Sequence, residues 1–174
     1  MIQKTLSGGF IGKYWITPPE LYKELDNEFH FDFDPCPYPY KKDGIEIEWG
    51  NSNYVNPPFR KKDAHNGHGP TAFVRKAIEE NKKGKQVVLI IPVQSYVNLL
   101  LEAGAELRSM GRVKWIDAIS KKECVGPSSV ALFILRTPTP EQKSHCDKCD
   151  HWDICEGCPY TDERTPAPVA GEQP

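Results

Sequence analysis

Apolar positions recur along the chain in two rhythms, and the changes from one to the other mark its elements. Leu21, Leu25 and Phe29 fall four residues apart behind Thr17-Pro18-Pro19-Glu20, a capping-box spacing with proline at the first helical position, which predicts a helix from about Pro18 to Phe29. Phe31-Asp32-Phe33-Asp34 alternates apolar and acidic side chains as a short strand, which Pro35-Cys36-Pro37 stops. Ile45, Ile47 and Trp49 alternate with Glu46 and Glu48 and read as a half-exposed strand, after which Asn51-Ser52-Asn53 turns the chain into a strand end at Tyr54-Val55. Arg60 to Gly69 is too polar for core and is expected to be a surface loop. Thr71 can cap a helix to about Lys83 with Phe73, Ala77 and Ile78 inward and Gly84 closing it. Val87-Val88-Leu89-Ile90-Ile91 has no alternation, which suits a strand covered on both faces, as in a parallel sheet between helices. A helix from Tyr96 to Ala103 follows, and Val113 to Ile119 and Val130 to Leu135 are expected to complete the sheet. The alternation over residues 18–135 predicts an α/β domain with right-handed crossovers.

Composition adds boundaries. The 174 residues accommodate one domain with a full hydrophobic core and a small appendage. From Thr137 the chain turns to Thr, Pro, Lys and acids, then to clustered cysteines, then to a Pro/Ala/Gly/Glu stretch that cannot bury enough apolar surface to fold. The expected division is a domain over 1–136, a linker and cysteine module over 137–160, and a disordered tail over 161–174. No apolar run approaches the roughly 20 residues of a membrane span, and Met1 to Lys13 has no signal-peptide apolar core, so a soluble cytoplasmic protein with no membrane partner is expected. Residues 1–136 hold 19 Lys/Arg against 16 Asp/Glu and residues 137–174 hold 3 against 8, so an acidic end masks a mildly basic body.

Asn56-Pro57-Pro58-Phe59 stands out as chemistry. The two prolines cannot donate backbone hydrogen bonds, and Pro57 holds Asn56 extended, so the strand ends in a rigid projecting loop. The Asn56 side-chain oxygen and the Pro57 carbonyl are two acceptors for one planar amino group, and Phe59 is a face to stack on its ring. Aromatic amines are poor nucleophiles because the lone pair is delocalised, and acceptors that take both hydrogens localise it for attack on an electrophilic methyl. The same four residues also suit an ordinary Asn-Pro turn with Phe59 packed into the core. Asp34, at the C-terminal edge of its predicted strand, lies where ligands bind in open α/β sheets, or simply caps a loop.

Taken in order, Trp15-Ile16-Thr17-Pro18, Asp34-Pro35-Cys36, Asp43-Gly44 with Trp49, Asn56-Pro57-Pro58-Phe59, Gly111-Arg112-Val113 and Pro127-Ser128-Ser129 resemble the elements of one family. This is the small phage-type DNA N6-adenine methyltransferase family, within the class I S-adenosylmethionine-dependent amino-methyltransferases. The resemblance spans about Trp15 to Leu135 and implies a Rossmann-like class I sheet flanked by helices. It implies S-adenosylmethionine held by Trp15, Thr17, Pro18, Asp34, Pro35 and Cys36, a catalytic loop of Asn56, Pro57, Pro58 and Phe59, and an adenine flipped out of DNA to stack on Phe59. Arg60, Lys61 and Lys62 follow the loop and suit the flanking phosphates, or a solvated surface. Read singly, Thr17 is also a helix cap, Trp15 a core aromatic and Asp34 a turn former. Asp34-Pro35-Cys36 lacks the glycine-rich turn of other methyltransferase classes. No insertion is large enough for a separate target-recognition domain, which points to weak sequence specificity.

Cys146-x-x-Cys149 and Cys155-x-x-Cys158 have the spacing of a closed four-thiolate zinc knuckle, with His145 or His151 as substitute ligands and an iron-sulfur cluster as the minor alternative. Such a knuckle is structural, since four protein ligands leave no open position. The function expected is methyl transfer to adenine N6 in DNA. The alternatives are a methyltransferase for RNA or protein glutamine, and a non-catalytic zinc-containing nucleic-acid-binding protein.

Overall fold

Strand β3 (Gln86–Pro92) is the axis of the fold in the computed structural model, which describes residues 14–40, 42–61, 64, 67–125 and 129–138. Val87, Leu89 and Ile91 enter one apolar cluster with Phe73, Val74 and Ala77 of helix α2 (Pro70–Lys82) and Leu100 of helix α3 (Val97–Glu102). Val88 and Ile90 enter a second with Leu25 and Phe29 of helix α1 (Pro19–Phe29). All five are 0% exposed, so the strand is covered on both faces, as its unbroken apolar run predicts. Each such side chain contributes about 1.5–3 kcal/mol of burial.

The main sheet has the order β2 (Ser52–Val55), β3, β7 (Val130–Leu135), β4 (Glu106–Gly111). β2 runs parallel to β3, but β7 lies antiparallel to β3, and β4 antiparallel to β7, so the expected parallel sheet is a mixed one. Burial does not encode direction: a central strand such as β7, buried at all six positions, reads the same either way it runs. A second sheet, wholly antiparallel, joins β1 (Trp15–Ile16), β5 (Lys114–Asp117) and β6 (Glu123–Val125). Val113 to Ile119 therefore does not complete the main sheet. The architecture is mixed α/β, with two sheets and three helices among the described residues, and no helix there is long and apolar enough to cross a membrane.

Other local expectations change for identifiable reasons. The strand predicted over Phe31–Asp34 reduces to a single parallel bridge between Phe33 and Asn53. The one predicted over Ile45–Trp49 is a turn, in which Asp43 Oδ1 accepts from Ile45 N at 3.0 Å, Asp43 O accepts from Glu46 N at 3.1 Å, and Trp49 Nε1 donates to Gly44 O at 2.7 Å. Position 44 must be glycine, because a Cβ would lie 2.2 Å from the Pro35 carbonyl oxygen. α1 begins after Pro18 without a side-chain cap, so Thr17 is not its cap. α2 begins after Gly69, which leaves Thr71 inside the first turn.

Glu80 ties α2 to the start of β3. Its buried carboxylate meets Lys76 at 2.9 Å, Lys83 at 2.7 Å and Lys85 at 2.6 Å, and Lys85 Nζ also donates to the Trp49 carbonyl at 2.6 Å. Burial alone would raise this carboxyl, but the three lysine hydrogen bonds outweigh it and hold it down to about 2, against an ordinary 4.5. A depressed carboxyl stabilises the fold above its unfolded pKa, and the contribution fades as pH falls from about 4.5 towards 2. Glu80→Gln is expected to lower stability at pH 7 by about 2–4 kcal/mol in urea unfolding, with the gap to the parent protein narrowing below pH about 4.

Candidate active site

β2 delivers the proline loop. Its ladder with β3 ends at Val55 opposite Leu89, since neither Pro57 nor Pro58 has an N–H to extend it. The parallel bridge between Phe33 and Asn53 sets Phe33 beside β2, so Asp34 and Asn56 leave neighbouring parallel segments at the same carboxyl edge of the sheet. That edge is where open α/β sheets bind ligands.

Asn56, 9% exposed, is gripped from within. Its Nδ2 donates to the Trp15 carbonyl at 2.8 Å and to Thr17 Oγ1 at 3.3 Å, the latter at the long end for a hydrogen bond. Thr17 Oγ1 also shares a hydrogen with Tyr54 Oη across 2.5 Å. Burial pushes the Tyr54 phenol up, against a weaker opposing effect of Thr17, so the hydroxyl stays neutral.

Trp15 and Asn56 line a shallow cleft with Tyr14, Pro57, Pro58 and Phe59 that is open to solvent. Phe59 is half-buried, its ring edge-on to Trp115 at 5.4 Å, and Trp15 meets the same indole edge-on at 6.5 Å. Phe59 thus both packs against the core and borders the cleft.

The Asp34 loop joins this wall through Tyr14. Tyr14 Oη donates to the Cys36 carbonyl at 3.1 Å, and Cys36 N donates to Asp34 Oδ1 at 2.7 Å. Asp34 is therefore a turn former, and it also sits beside a residue that lines the cleft. Burial pushes its carboxyl up to about 6, with the Cys36 N–H working against the shift. The Cys36 side chain belongs to the core, where burial, then Asp34 and Asp43, push its thiol up. Pro35 is buried and Pro18 half-buried.

Arg60 and Lys61 are exposed directly after the loop. Lys62 lies outside the described residues, as do Cys146, Cys149, Cys155 and Cys158 with the expected knuckle. Among the described residues no group of three or more His, Cys, Asp or Glu is placed to hold a metal ion. Three residues of the site went unread in the sequence: Tyr14, Tyr54 and Trp115. Tyr54 was accessible, since strand alternation puts residues 54 and 56 on one face. Trp115, fully buried in β5, has the pattern of an ordinary core aromatic, although its Nε1 finds no hydrogen-bond partner among the described residues.

The family model described as DNA N-6-adenine-methyltransferase (Dam) matches residues 10–154. No curated protein and no solved structure matches the chain. With the match extending over most of the sequence and across the whole cleft, the chain belongs to the DNA N-6-adenine-methyltransferase (Dam) family, and its reaction is methylation of adenine N6 in DNA.

Proposed function

We propose that the reaction takes its methyl group from S-adenosylmethionine and runs at the Asn56–Phe59 loop. The observation that carries this reading is the departure of Asp34 and Asn56 from one carboxyl edge, with the Asn56 amide hydrogens held by Trp15 and Thr17. The parallel run through Phe33, β2 and β3, followed by antiparallel β7, supports a Rossmann-like class I arrangement with cofactor and target side by side at that edge.

The residues present suit this donor. Asp34 offers a half-buried acceptor for hydroxyl hydrogens, and Tyr14 and Trp15 offer aromatic surface. Thr17, Pro18, Pro35 and Cys36 complete that side, chiefly through backbone. Bound there, S-adenosylmethionine supplies an electrophilic methyl carbon. The Asn56 side-chain oxygen and the Pro57 carbonyl accept the two N6 hydrogens of an adenine flipped from the duplex, localising the nitrogen lone pair towards that carbon. Phe59 stacks on the base, and Arg60, Lys61 and Lys62 hold flanking phosphates. The cysteine spacing beyond residue 137 supports a separate module, with Cys146, Cys149, Cys155 and Cys158 closing a zinc site.

Asn56→Ala is expected to lower methyl transfer to adenine-containing DNA by about 100-fold or more while cofactor affinity in calorimetry holds, and activity near the parent level would sink the loop assignment. Cofactor affinity should rise with pH through about 6 as the Asp34 carboxyl ionises, and Asp34→Asn should flatten that profile. Metal analysis should find zinc in the purified protein and none in Cys149→Ser; a zinc-free parent protein overturns the knuckle.

A further inference from the structure

We infer that Thr17 and Tyr54 are positioning residues for the catalytic amide: their paired hydroxyls and the Trp15 carbonyl hold Asn56 with its hydrogens inward and its oxygen towards the target amine. This rests on the proposed role of Asn56. It adds, to the backbone contact proposed for Thr17 on the cofactor side, a task for its hydroxyl on the adenine side of the cleft.

The amide has two hydrogens, and both have acceptors, Trp15 O at 2.8 Å and Thr17 Oγ1 at 3.3 Å. The Trp15 carbonyl accepts only, so the amide cannot turn over without setting two acceptor oxygens 2.8 Å apart. Thr17 Oγ1 is fixed in its turn by Tyr54 Oη at 2.5 Å, with Thr17 8% and Tyr54 2% exposed, so neither hydroxyl has bulk water as an alternative partner. The Tyr54 ring is wedged edge-on against Tyr22 of α1 at 5.0 Å. The amide is thereby referenced to the packed core rather than to the loop that bears it. A consequence is chemical selectivity at position 56. A carboxylate of the same shape has no hydrogens to give, and would face the Trp15 carbonyl as an anion.

The test compares Thr17→Val, Thr17→Ser, Tyr54→Phe and Asn56→Asp with the parent protein by steady-state kinetics, cofactor calorimetry, thermal melting and NMR exchange of the Asn56 side-chain amide hydrogens. Parent activity on DNA tests the function itself; the exchange rates test the positioning whether or not the chain is active. In Thr17→Val and Tyr54→Phe, kcat is expected to fall about 10- to 100-fold at little-changed KM and cofactor affinity, with amide exchange about 10-fold faster. Thr17→Ser, which keeps the hydroxyl, recovers most of kcat and of the exchange protection. Asn56→Asp is as inactive as Asn56→Ala. Tyr54→Phe removes one oxygen and leaves the ring in place, so a folded variant is assured of a reading even if Thr17→Val melts early. The inference is overturned by unchanged exchange and kcat in Tyr54→Phe, by a Thr17→Val variant that loses cofactor affinity alone, or by an active Asn56→Asp.

Discussion

The absence of a backbone hydrogen at Pro57 and Pro58 is the constraint on which the site depends. β3 runs on to Pro92 and stays paired with β7 up to Val130, whereas its parallel partner β2 stops at Val55. A donor at residue 57 would let the ladder continue and lay Asn56 flat in the sheet. Instead the chain is released at the carboxyl edge, and the amide is free to be captured by groups from elsewhere. Trp15 and Thr17, some forty residues earlier in the chain, are those groups.

How much of this was legible in the sequence follows from which signals are local. β3 was readable because five consecutive apolar side chains have one economical explanation, burial on both faces. The helices were readable because proline opens α1 and glycine closely follows the ends of α2 and α3. The segment from Ile45 to Trp49 was misread because a turn anchored on Asp43 can alternate inward and outward side chains as a strand does. β4 was missed because it is an edge strand and mostly exposed, with no apolar signature. At the site, the loop and Asp34 could be named from motif and spacing. The contacts of Thr17 with Tyr54 and Asn56 could not, since they are long-range, and a Thr-Pro-Pro-Glu string reads first as a helix start.

The groups around the cleft are uncharged by construction. Burial raises the phenols of Tyr14 and Tyr54 and the thiol of Cys36, so each stays neutral, the two phenols as hydrogen-bonding groups. Asp34 is raised too, but only to about 6, so near neutral pH it carries charge at the rim of an otherwise neutral wall. In the proposed reaction a neutral amide and a neutral carbonyl are the acceptors for a neutral amine. They would take hydrogen bonds from it without a full negative charge that the buried site would have to stabilise.

The small antiparallel sheet then has a clear purpose. Its first strand is only Trp15 and Ile16, too short to stand alone, yet its pairing with β5 places the Trp15 carbonyl that takes an Asn56 hydrogen. β5 contributes Trp115, the indole against which both Phe59 and Trp15 pack edge-on. The main sheet therefore presents the Asn56–Phe59 loop and the small sheet backs it. The Asn56 amide and the Phe59 ring are referenced to the same few residues, so a shift of β1 or β5 would move both together. For the proposed in-line methyl transfer, holding these two groups in fixed relation to each other matters more than holding either one rigid, because the proposal has the base gripped by its amine and its face at once.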